Sequence, residues 1–273
     1  MFSRQHIGRT GRQLGRSVQR SWAEGAQRRA YASETPNAKN GGFGRILRLA
    51  AFGAAFGGAG AAAMWQTMTS RGMGFYSDEA SLTRFIASDE QARMAEETIN
   101  AHPLVAELRA RSDLTESRPH MKMPASYRQR SLTGGALLGP NRLVVPPYLW
   151  LEAGGRSLVA VTYVGDDLCG HPGIVHGGFL ATMLDEGLAH CCFGALPHNI
   201  AVTANLSIDY RKPTPAGSFL VLRAQTVKVE GRKAWVKGHI ELLAKPGEKP
   251  TILAEANGLF VSPKYAAMLP RMS

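Results

Sequence analysis

Apolar and polar positions alternate strictly from Ala201 to Tyr210. Val202, Ala204, Leu206, Ile208 and Tyr210 fall on one side, and Thr203, Asn205, Ser207 and Asp209 on the other. A period of two over a run this long predicts a strand buried on one face. Upstream the pattern changes. From Phe179 to Phe193 the chain is helix-length and carries only two charges, Asp185 and Glu186. A helix apolar on nearly every side is normally buried, and a carboxylate within one is costly unless it has a partner or a use. Leading into it is Gly170-His-Pro-Gly-Ile-Val-His-Gly-Gly178, a composition suited to close backbone approach to a ligand.

Four further runs read as strands. Leu158 to Val164 precedes the helix; Phe219 to Val229, Ala234 to Leu243 and Ile252 to Val261 follow the alternating run. Turn residues punctuate them at 211–217, at Glu230-Gly-Arg-Lys233, at Pro246-Gly247 and at Pro250. Strands joined by short turns are antiparallel neighbours. A strand, one long buried helix and four turn-linked strands make an α+β, hotdog architecture. In it an antiparallel sheet wraps a central helix, here over residues 146–262.

Upstream, Ser77 to Ala110 reads as helix with a partial stripe of Phe85, Ile86, Met94 and Ile99, broken near Pro103. Residues 112–145 are polar and turn-rich. Together 77–145 form an N-terminal helical and loop cover on the main domain. Between Arg48 and Arg71 lie 22 uncharged residues, 49–70, enough for a helix to span a bilayer. Gly53 and Gly57 have the spacing at which membrane helices pack closely. Alanine and glycine are weakly hydrophobic, so a low-complexity linker is the alternative. If the segment spans, Lys39, Arg45 and Arg48 favour a matrix-side N-terminal flank, with the domain in the intermembrane space.

The net charge of +11 changes the picture less than it promises. Residues 1–31 hold seven arginines and one acid, so +6 of the total sits there. Arginine-rich, serine-bearing and nearly acid-free, this stretch has the composition of a mitochondrial transit peptide, with a basic arm as the alternative. Arg29-Ala-Tyr31 before Ala32-Ser33 resembles a cleavage site, and 32–48 is then a linker. With no compact basic patch interleaved with aromatics, nucleic acid is not an expected partner.

Cys169, Cys191 and Cys192 make no metal or disulfide pattern, and no spacing among His171, His176, His190 and Cys191 fits a zinc site. No metal or other cofactor is expected. The amides of Gly177 and Gly178 should be unpaired first-turn donors at the positive end of the helix dipole. Such donors can hold an oxyanion. Asp185 lies eight residues beyond Gly177, about 12 Å along a helix. One subunit's pair therefore cannot touch the same carbonyl. If both act, the carboxylate comes from a second subunit, which predicts a homodimer, or a dimer of dimers, with composite sites. Thr182, Glu186 and His190 make a polar stripe at four-residue spacing. Asp185 points elsewhere, between Ala181 and Ala189, where small neighbours leave room for a ligand. Periodicity alone ranks Asp185 only modestly above Glu186.

The run Pro172 to Asp185, with His176-Gly177-Gly178 and an aspartate nine residues after the histidine, carries a resemblance, as does Val202-Thr-Ala-Asn-Leu-Ser-Ile-Asp-Tyr-Arg-Lys-Pro213. Both resemble the PaaI-type branch of the hotdog acyl-CoA thioesterases, especially mitochondrial members of animals and fungi. The resemblance spans about 146–262. It implies Asp185 as general base or nucleophile, and the Gly177 amide as the group polarising a thioester carbonyl, with His176 beside it. Thr203 falls where the family has a hydroxyl that helps hold the attacking water. Some relatives carry an asparagine or glutamine shortly before the His-Gly-Gly; here Gly170-His171 stand in that neighbourhood. Gly178, Asn205, Arg211 and Lys212 are candidate substrate-binding residues, and Lys228, Arg232 and Lys233 could also meet CoA phosphates. The implied activity is hydrolysis of a fatty acyl-CoA at the mitochondrial inner membrane. A non-catalytic, membrane-tethered acyl-CoA binder and an enoyl-CoA hydratase are the rival readings.

Overall fold

The computed structural model of the chain describes residues 42–70 and 75–266. The transit segment expected at 1–31 and most of the linker expected at 32–48 lie outside the described residues. The first helix, α1 (Gly42–Ser70), begins seven residues before the uncharged run and takes in Arg45 and Arg48. Its side chains from Gly44 to Gln66 are exposed, and this 23-residue stretch is long and apolar enough to cross a membrane. The chain divides into two units after Ala54, inside this helix.

In the second unit, the single helix expected from Ser77 up to Pro103 is two. They are α2 (Asp78–Leu82) and α3 (Glu90–Ala101), followed by α4 (Pro103–Ala110). The break has a local cause: Ser77 caps α2 through Ala80 N–H, and Asp89 starts α3 afresh by accepting from Ala92 N–H. The polar stretch beyond hides a strand, β1 (Leu114–Ser117), then two short helices, α5 (Pro119–Lys122) and α6 (Ala125–Arg128), and a π-helical turn at Leu132–Ala136.

The wrapped sheet follows. Strands β2 (Tyr148–Glu152) and β3 (Ser157–Val164) lead through a small hairpin, β4 (Cys169–His171) and β5 (Ile174–Val175), into the central helix α7 (Gly177–Phe193). Four strands complete it: β6 (Val202–Tyr210), β7 (Ser218–Glu230), β8 (Lys233–Leu242) and β9 (Ile252–Val261). The order across the seven-stranded sheet is β1-β2-β3-β7-β8-β9-β6, with every pairing antiparallel. This is the expected α+β hotdog arrangement, with β1 and β6 at its edges.

Both faces of the sheet are covered in part. Leu180, Leu184, Leu188, Cys191 and Cys192 of α7 pack on Leu158, Leu220, Leu222, Ile240 and Phe260. Each such burial contributes on the order of 1.5–3 kcal/mol. A Cβ at Gly187 would lie 2.7 Å from the Leu222 methyls, so glycine there sets how closely α7 approaches β7. On the opposite face Ala95, Ile99, Val105 and Leu108 of α3 and α4 cover Trp150, Val161 and Val221. That cover is pinned by Arg118, fully buried, which bonds Glu96 at 2.6 Å and the Pro146 carbonyl at 2.8 Å.

Candidate active site

His176 caps α7 in an unusual way: its ring Nδ1 accepts the Gly178 N–H at 2.9 Å. The expectation of two unpaired glycine amides is corrected to one. The Gly177 N–H makes no hydrogen bond within the described residues, and it stands at the positive end of the helix dipole. Accepting through Nδ1 leaves the neutral His176 ring with its proton on Nε2, as a donor. Tyr210 closes the other side of the turn, its hydroxyl donating to the Gly177 carbonyl at 2.9 Å. A Cβ on Gly177 would sit 3.3 Å from the Tyr210 ring, so this close contact favours glycine. Tyr210 was not singled out by the sequence, although it ends the alternating run.

Asp185, half-buried two turns along α7, accepts a 2.7 Å hydrogen bond from Thr203 Oγ1. Strict alternation would put Thr203 on the face of the sheet away from the helix. The ladder shows how it comes across. Tyr210, Ile208 and Leu206 pair with Ala254, Ala256 and Gly258, but after a register shift Thr203 pairs with Phe260, a residue of the same helix-facing set. A β-bulge at Ala204 has turned the strand by one position. Bulges re-aim side chains in this way, and this one delivers the hydroxyl to the carboxylate.

The same register carries Asn205 opposite Leu259, on the face turned from α7, so Asn205 does not join Asp185. Arg211 is also committed elsewhere, with Nε 2.6 Å from Glu255 and a second contact to Asp209 at 3.4 Å. Lys212 is exposed, and its amide bonds the Leu253 carbonyl. On the β7–β8 hairpin Lys228 pairs with Glu230 at 2.7 Å and lies over the Trp235 ring, while Arg232 donates to the Ser262 carbonyl.

Glu186 meets the cover. His120 Nε2 of α5 lies 3.3 Å from its Oε1, and Thr133 Oγ1 donates to that oxygen at 3.0 Å. Burial alone pushes this carboxyl up. The His120 hydrogen bond and charge, the nearby His190 and the Thr133 hydroxyl outweigh burial and hold it at about 2. Burial pushes His190 below the usual imidazole value. His120 and Thr133 come from a stretch without periodicity, so no sequence signal marked them. Cys191 and Cys192 are fully buried, their thiols pushed by burial up to about 11 and about 12. They are inert packing residues. Among the described residues no group of His, Cys, Asp and Glu is placed to hold a metal ion.

The family model of the thioesterase superfamily matches residues 172–246, from the turn before α7 to the end of β8. An uncharacterized protein of Schizosaccharomyces pombe is 41% identical over 128 residues, which cover 46% of this chain and 72% of that one. The chain belongs to the thioesterase superfamily. It is also similar to acyl-coenzyme A thioesterase THEM4 of Bos taurus, 38% identical over 39% of this chain and 41% of that one. The uncharacterized mitochondrial membrane protein FMP10 of Saccharomyces cerevisiae is 30% identical over 60% of this chain and 64% of that one. The chain spans less than two thirds of the length of these last two relatives.

Proposed function

We propose that the chain hydrolyses the thioester of a fatty acyl-CoA, at sites each shared by two copies. The observation that carries this is the way β6 touches α7 at both ends: Thr203 bonds Asp185, and Tyr210 bonds Gly177. Among the described residues β6 has no partner strand on its outer side, and an unpaired edge is a template for a second chain. A second copy added antiparallel, about an axis near Leu206 and Ser207, sets Thr203 and Asp185 of one chain against the partner's Gly177. That resolves the eight-residue separation of Gly177 and Asp185 on one helix.

In such a site the Gly177 amide, unpaired in the chain, would meet the thioester carbonyl, where a single donor of this kind is worth about 2.7–4 kcal/mol of barrier. Thr203 orients the Asp185 carboxylate, and its lone pairs can accept from a water. Asp185 takes a proton from that water as the oxygen attacks the carbonyl carbon. The tetrahedral intermediate then collapses, the C–S bond breaks, and CoA leaves as thiolate to be protonated. Likeness to THEM4 supports the substrate class. CoA phosphates would be met by the rim cations: Lys212, which the structure leaves exposed, and Lys228, Arg232 and Lys233 of the hairpin. Arg211 and Lys228 would first have to leave Glu255 and Glu230.

Thiol release from acyl-CoAs of graded chain length by the full chain tests this reading. Asp185→Ala should lower turnover by about 10²- to 10⁴-fold while leaving the dimer intact. Acyl-CoA binding without thiol release would establish the non-catalytic reading, and loss of enoyl absorbance the hydratase. The exposed apolar α1 and the likeness to a mitochondrial membrane protein support anchorage in the mitochondrial inner membrane. After carbonate extraction of mitochondria the chain should stay in the pellet; release into the supernatant would refute a spanning α1.

A further inference from the structure

The N-terminal cover does more than shield the sheet: it reaches α7 beside the proposed catalytic carboxylate. Glu186 follows Asp185 directly, so the two side chains leave the helix about 100° apart. Asp185 is held by Thr203 from β6 and Glu186 by His120 and Thr133 from the cover. We propose that Thr133 and His120 are positioning residues. Acting through Glu186, they set the rotation of α7 about its axis and so the place where Asp185 meets Thr203 and the substrate. The inference rests on the thioesterase reading and deepens it, making the cover part of the catalytic apparatus.

A second observation says why hydrogen bonds are needed for this. Packing beside that flank of α7 is looser: a half-open cleft of about 50 Å³ lies between the helix and the sheet, lined by His120, Leu149, Ala160, Met183, Glu186 and Leu222. The Nδ1 of His120 is buried with no hydrogen-bond partner. Side chains beside such a cleft have fewer protein atoms packed against them, so protein packing alone resists a small roll of the helix less on this flank. On the opposite flank Asp185 is held by one hydroxyl at an open strand edge. The pair of contacts on Glu186 is what resists the roll. A displacement of about 1 Å at a reacting group can cost up to 10²-fold in rate.

The test uses the full chain and thiol release from an acyl-CoA. Thr133→Val keeps the volume and removes the donor. It should lower kcat by roughly 10-fold, with KM and the thermal midpoint near wild type. Thr133→Ser returns the hydroxyl and should restore turnover. Should Thr133→Val fail to fold, Glu186→Met, close in size and with no oxygen to accept from Thr133 or His120, should show the same split between kcat and KM. Wild-type kcat in Thr133→Val overturns the proposal. So does a loss of kcat that merely tracks a falling thermal midpoint and is not rescued by serine. Asp185→Ala separates the two levels. If it is inactive while Thr133→Val turns over normally, the positioning role alone falls. If the wild-type chain releases no thiol, the thioesterase reading falls and takes this proposal with it.

Discussion

Along one flank of α7 a half-buried aspartate shares one threonine hydroxyl at an open sheet edge. Along the other, one residue later, a glutamate is gripped by a histidine and a second threonine and held at a pKa of about 2. The two carboxylates differ by a methylene and about 100° of helix, yet they suit opposite tasks. Glu186 has one oxygen, Oε1, contacted by two groups of its own chain, His120 and Thr133, which suits a tether. Asp185 keeps capacity in hand beside a strand edge where another chain and a substrate can arrive.

The comparison can be broken hardest at the bulge. Deleting Ala204 removes the bulge and leaves Thr203 opposite Phe260, still on the helix-facing side, but straightens the strand and moves its hydroxyl relative to Asp185. Turnover should fall by about 10²-fold, a loss of the size expected from 1 Å misplacement, with the circular-dichroism spectrum retained. Unchanged turnover would show that the bulge is not needed to place Thr203 against Asp185. Thr203→Val removes only the hydrogen bond, worth about 0.5–1.5 kcal/mol, so roughly a 10-fold loss of kcat is the upper expectation.

The Glu186 flank is better probed through acid stability. Its folded pKa lies below the ordinary 4.5, so the anion's contribution is complete above about pH 4.5 and is lost as pH falls towards 2. Burial holds His190 below the ordinary 6.5. The unfolded chain therefore takes up a proton that the native chain resists, and stability begins to decline as pH drops below 6.5. Thermal midpoints should fall in two stages, the second absent from Glu186→Gln. A Glu186→Gln profile matching wild type from pH 4.5 down would remove the tether from this account.

Much of this was legible in the chain itself. The period of two from Ala201, the apolar run after His176-Gly-Gly178 and the turn residues between strands follow from rules linking neighbours, so they led to a central helix with a wrapped antiparallel sheet and made Gly177 and Asp185 candidates, with the family resemblance ranking Asp185 above Glu186. Thr203 came from the family resemblance and not from its place in the pattern, because alternation set it on the wrong face. A bulge exists only against a partner strand, and β9 begins more than forty residues further on. The partners of Glu186 lie 53 and 66 residues upstream, in a turn-rich stretch whose single strand is four residues long and polar. The histidine cap was hidden for another reason: an imidazole can accept an amide like a serine, but only the extended backbone at His176 aims it. Sequence periodicity determined which residues face a core. Register across strands and contacts far apart in the chain decided which of two adjacent carboxylates was tied down and which was left open.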